Sequence, residues 1–112
     1  MQGKQGEKIL MNNLKIEFSE NGLFLQQVKR TQHTAMYSVH LEKGSPITGY
    51  EVIRIRIIPE EKIKGTIIPE HERYPGNEKF GKDGFSWITR EQAERCFSEM
   101  ENHYAKGGEE PD

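Results

Sequence analysis

Four histidines, one cysteine and a strand that sets two arginines beside a tyrosine are the residues of this chain that bear on chemistry. His33, His40, His71 and His103 stand at separations that match no compact zinc pattern, and Cys96 alone could join them. No metal and no other cofactor is therefore expected. His71 lies between Glu70 and Glu72, an acid–base grouping only if the three converge. Neighbours along a strand point to opposite faces, which favours a solvated histidine instead. The chain has no His-Glu-x-x-His pair and no Gly-x-Ser-x-Gly elbow. Phe80-Gly81-Lys82-Asp83-Gly84 lacks the glycine spacing and the Ser/Thr of a phosphate-cradling loop. Binding rather than catalysis is the expectation these residues leave.

The chemistry of binding concentrates in two stretches. In residues 49–58, alternation places Ile53, Ile55 and Ile57 on one face and Tyr50, Val52, Arg54, Arg56 and Ile58 on the other. The expectation is an isoleucine core face and a basic outer face. Residues 72–87 interleave Tyr74, Phe80, Phe85 and Trp87 with glycine, proline and the charges of Lys79, Lys82 and Asp83. Structurally, such rings would plug the open end of a small sheet and anchor the helix that follows. Functionally, Tyr74, Phe80 and Trp87 beside Lys79 and Lys82 would form a stacking platform for single-stranded nucleic acid or a protein hot spot. Tyr50, Arg54, Arg56, Tyr74, Lys79, Lys82 and Trp87 together are the candidate nucleic-acid-binding residues.

The elements that must position them follow from periodicity. Leu14, Ile16 and Phe18 alternate with charges, and Asn21-Gly22 then supplies a turn that accepts positive φ. A second strand spans about 23–29, a third 35–41, and Gly44 with Pro46 breaks the chain before the 49–58 strand. Ile57-Ile58-Pro59-Glu60 is echoed by Ile67-Ile68-Pro69-Glu70, which reads as a hairpin returning residues 63–68 onto 53–58, with a long loop as the alternative. Thr89 and Gln92 fit a capping box opening a helix to Lys106. Its apolar stripe of Ala93, Cys96, Phe97, Met100 and Tyr104 makes Cys96 a packing residue. The fold class expected is α+β: an antiparallel meander of four to five strands with one C-terminal helix packed on one face. Residues 12–106 would form the domain, with a flexible leader at 1–11 and a disordered acidic tail at 107–112.

With 112 residues the chain suits one domain. Its net charge of −2 argues against binding by bulk positive charge, but the charge is uneven. Residues 1–66 hold ten Lys/Arg and seven Asp/Glu, and residues 67–112 hold six and eleven. No apolar run approaches the roughly 20 residues of a membrane span, so a soluble, cytoplasmic protein is expected, monomer or homodimer. The run 49–55 with Glu72-Arg73-Tyr74-Pro75, Phe80-Gly81, Trp87 and a closing helix resembles small uncharacterised proteins of bacteriophages and mobile elements of gut bacteria. That resemblance implies an accessory role in a bacterial cell and carries no catalytic residues. A fainter likeness joins Phe80-Gly81-Lys82-Asp83-Gly84 to the Trp-Gly-Arg-x-Gly of the WGR domain, which implies nucleic-acid contact. Two partners stay open: nucleic acid or a nucleic-acid-handling complex, and a host protein met through a sheet edge or the acidic helix face of Glu94, Glu99 and Glu101.

Overall fold

The computed structural model describes residues 13–76 and 79–105; the expected leader and tail fall outside them. Nine strands and one helix make up these residues. Strands β1 (Glu17–Glu20), β2 (Leu23–Arg30), β3 (Thr34–His40) and β4 (Ile47–Arg54) form an antiparallel meander, and β9 (Gly84–Trp87) adds to its far side. The sheet order is β1-β2-β3-β4-β9, and helix α1 (Arg90–Ala105) packs across one face. The chain is thus an α+β fold with one five-stranded sheet. Asn21 and Gly22 take φ of 56° and 79°, the positive values a tight hairpin requires between β1 and β2.

Between β4 and β9 the chain leaves the sheet as a hairpin arm. Strand β5 (Arg56–Ile58) pairs with β8 (His71–Arg73), and β6 (Glu61–Ile63) pairs with β7 (Thr66–Ile68) around a Lys64-Gly65 turn. The arm corrects the expected register: residues 63–68 do not return to 53–58. Ile58 instead faces His71, Glu61 faces Ile68, and the Pro59-Glu60 and Pro69-Glu70 pairs interrupt the ladder between them. Proline has no N–H to donate, so a proline on each side of the break, Pro59 opposite Glu70 and Pro69 opposite Glu60, splits one long hairpin into two short ladders.

Both faces of the sheet are covered, which corrects the expectation of an open basic face. Leu25, Ala35, Tyr37, Val39, Ile53 and Ile55 make one layer, closed by Leu14, Phe18, Leu23, Tyr74 and Phe80. Met36, Tyr50 and Val52 make the other, beneath Ala93, Phe97 and Met100 of α1. Strand β3 is consequently buried along its whole length. Tyr50 and Val52 face the helix rather than solvent, whereas Ile57, assigned to the core by alternation, is exposed on the arm.

Helix α1 begins as its capping box dictates. The Thr89 hydroxyl accepts from the Gln92 N–H at 3.2 Å, and the Gln92 carboxamide oxygen accepts from the Thr89 N–H at 3.2 Å. Its far end is fixed by Glu101, which accepts from the Thr31 and Thr34 hydroxyls at 2.6 and 2.9 Å. Lys29 joins β2 to Glu94 at 2.5 Å and lies over the Phe97 ring. A helix about 10 Å across spans only two or three strands spaced about 4.8 Å, so a five-stranded sheet extends beyond it.

Candidate binding surface

The seven residues expected to bind nucleic acid do not form one surface. The Tyr50 ring is buried under α1. Tyr74 lies on the opposite face, edge-on to Phe18 and Tyr37 and stacked with Phe80. Its hydroxyl donates to Glu51, and burial pushes its pKa up. The thickness of the sheet separates Tyr74 from Tyr50 and Trp87, which pair across β4 and β9 on the α1 face, so the three rings cannot stack one strand of bases. The plugging role read for the rings describes Tyr74 and Phe80, whose ring leaves no space for a Cβ at Gly84.

Arg54 and Arg56 do come together, but against an acid. Asp83, only 2% exposed, lies 3.0 Å from Arg56 and 3.9 Å from Arg54. Arg54 also covers the Tyr104 ring at 4.4 Å, and its N–H donates to the Asp83 carbonyl at 2.8 Å. The two guanidinium groups therefore anchor the last turn before β9. Their charge is half neutralised, and the expected basic outer face is corrected to an internal ion-pair cluster. Arg73 stands opposite Arg56 across the β5–β8 ladder and adds a third cation there. Lys79 is half-buried in the turn whose carbonyl receives the Asp83 N–H, and Lys82 is exposed beside β9. Asp83 reads from sequence as a loop charge because nothing local marks its partners, which lie 27 and 29 positions away.

The acidic helix face is likewise mostly engaged. Glu94 meets Lys29 and Arg90, which hold its carboxyl below the usual range, and Glu101 is capped by two threonines. Of that trio only Glu99 faces a hollow.

Two of the four histidines, His71 and His40, have their rings engaged within the fold. His71 Nδ1 lies 2.9 Å from the Pro69 carbonyl, while Glu72 grips Arg30 at 2.7 and 2.8 Å and accepts from the Leu14 N–H. Arg30 holds the Glu72 carboxyl below its ordinary value. His40 and Ser38 sit at nucleophile–base distance, 2.8 Å, with His40 Nδ1 2.7 Å from the Ser45 carbonyl. Both are buried, so no substrate reaches the hydroxyl. Among the described residues no group of three His, Cys, Asp or Glu could hold a metal ion, and no helix is long and apolar enough to cross a membrane.

What the fold leaves open is the overhang between α1 and β9. A groove of about 440 Å³ lies there, floored by Phe85, Trp87, Cys96, Met100 and Tyr104. Its rim carries Lys82, Arg95, Glu99 and His103. The Phe85 and Trp87 rings are stacked 6.5 Å apart, and burial pushes the Cys96 thiol up. Among the described residues the buried Trp87 Nε1–H has no oxygen or nitrogen partner and lies beside the Cys96 sulfur. Beside the groove, β9 is the last strand of its sheet. The Asp83 carbonyl faces β4 and the Gly84 carbonyl faces away, toward the Gly81 N–H at 2.7 Å. Alternation then turns the backbone N–H and C=O of Ser86 outward as well. Sequence reading names Trp87, Lys82 and Glu99 as contact residues and a sheet edge without saying which, but gives Phe85, Cys96, Met100 and Tyr104 to packing and does not join them into a groove, although the uncharged run 84–88 is a usable signal.

Compared with known proteins, the chain matches no family model, no curated protein and no solved structure. The functional reading rests on this geometry.

Proposed function

We propose that this protein is a small non-catalytic binding module that docks on another protein through β9, taking up an extended segment as a sixth strand. The observation that carries this reading is the outer edge of β9 beyond Gly84, whose own carbonyl is taken by the Gly81 N–H: there the outward backbone groups of Ser86 have no backbone partner among the described residues, in a stretch free of charge and proline beside an apolar groove. Backbone groups at Ser86 supply hydrogen bonds, and the groove supplies a seat for alternate side chains. In the phage or mobile-element setting that the sequence resembles, the segment would belong to a host protein. Selection from a random peptide library tests it. Peptides should bind the wild-type chain and lose binding to Ser86→Pro, which removes an outward N–H while sparing the β4 ladder. Failure to enrich any peptide, or equal binding to the variant, overturns the reading.

A second reading, contact with nucleic acid, keeps one supporting observation: Arg56 and Arg73 stand side by side at the base of the arm, with Arg54 nearby. Like charges placed opposite one another disfavour folding, so an anionic ligand there would relieve repulsion. Asp83 counts against it. Oligonucleotide affinity that falls steeply with salt and vanishes in Arg56→Glu/Arg73→Glu would support this reading. Absence of binding at low salt removes it.

A further inference from the structure

Building on the reading of β9 as a docking edge, we propose that the groove selects a partner strand with an aromatic or long apolar side chain flanked, two residues away on each side, by carboxylates. A strand added to β9 would run about 4.8 Å beyond it, and its alternate side chains, about 6.8 Å apart, would fall on the α1 side. The floor beneath those side chains is apolar, made by Phe85, Trp87 and Met100. The rim charges are arranged along the groove rather than mixed.

The chain turns back after Trp87, so α1 begins near the end of β9 and finishes near its start. Cys96 sits beside Trp87, while Tyr104 lies on Arg54, which reaches Asp83 just before Gly84. Arg95 therefore lies toward the Trp87 end, and Lys82 and His103 toward the Gly84 end. Glu99, the one acid of the lining, stands one helical turn from Arg95 and from His103. The cations Lys82 at one end and Arg95 at the other, with Glu99 between them, favour carboxylates at the ends and an uncharged side chain in the middle. Arg95 is 65% exposed in its ion pair with Glu91, so a partner can compete for it. An apolar ring over Phe85 and Trp87 adds stacking beyond its buried area.

Trp87 is the only tryptophan and lies in the groove floor, so its fluorescence reports occupancy directly. Three peptides distinguish the possibilities: Thr-Glu-Thr-Phe-Thr-Glu-Thr, the same with lysines for the glutamates, and the same with alanine for phenylalanine. The first should bind about tenfold more tightly than either of the others, and the variant Lys82→Glu/Arg95→Glu should prefer the lysine peptide. Equal binding of all three, with the Ser86 amide shifting in each nitrogen-15 titration, overturns the selectivity and leaves the docking edge standing. If neither these three peptides nor any library peptide binds, the edge reading and this inference fall together.

Discussion

The two edges of the sheet are built to opposite rules. β1 ends on glutamates at both sides: Glu17 accepts from Gln26 and lies 3.5 Å from Lys43. The chain leading into it is tied down by backbone atoms. The Ile16 carbonyl accepts from the Gln27 N–H at 2.7 Å, the Lys15 carbonyl from the Tyr37 hydroxyl at 2.7 Å, and the Leu14 N–H donates to Glu72. Phe18 then sits edge-on to Tyr37 and Tyr74. β9 has the sequence Gly-Phe-Ser-Trp, followed by Ile88 at 80% exposure, with no charge from end to end. Proteins blunt edges that must not pair. A sheet that guards one edge and leaves the other open beyond Gly84, next to a hollow, is arranged for company on one side only.

If that contrast holds, damage at β1 costs stability while damage at β9 costs binding. The largest effect expected is from Phe18→Ala, which empties the ring cluster and should cost about 3 kcal/mol in urea unfolding. Glu72→Ala removes the acceptor of Arg30 and of the Leu14 N–H, and about 2 kcal/mol is expected because both side chains keep some solvent. An unchanged unfolding midpoint in either variant would break the contrast at β1.

Acid titration sharpens it further. Arg30 lowers the folded pKa of Glu72, so its contribution is complete above about pH 4.3 and is lost as the pH falls through the folded value. Burial raises Glu51, so its ionisation weakens the fold as the pH rises from about 4.3 through the folded value. Glu72→Gln should flatten the acid side of the stability curve. Glu51→Gln should gain about 1 kcal/mol or less at pH 7. The smallest change in stability, under about 0.5 kcal/mol, is expected for Ser86→Lys, which gives β9 the guard it lacks and should abolish peptide binding. A melting temperature several degrees lower in that variant would mean that Ser86 is needed by the fold itself.

Much of the scaffold was legible because its signals are local. The Asn-Gly turn, the alternation of β1 to β4 and the Thr89–Gln92 box each involve residues within a few positions of one another. The arm was half legible: the prolines marked its breaks, but the repeated isoleucines drew the register eight residues short. The binding surface was hardest to read. Alternation separates the two faces of a strand without saying what covers each, and Tyr50 and Arg54 were assigned to solvent where α1 lies. The pairing of Arg54 and Arg56 with Asp83, like that of β4 with β9, joins residues far apart in sequence that no local pattern connects.

Placing β9 beside β4 has a kinetic consequence. Everything from Ile55 to Asp83 must be looped out before those strands meet, whereas β1 to β4 close through short turns. Loop closure is costly before its contacts form, so the meander should assemble early and the β9–α1 half should arrive last. The segment that folds last under native conditions is commonly the first to open. Amide exchange in β9 should therefore be faster than in β3, so that the strand offered to a partner is also the one most ready to adjust to it.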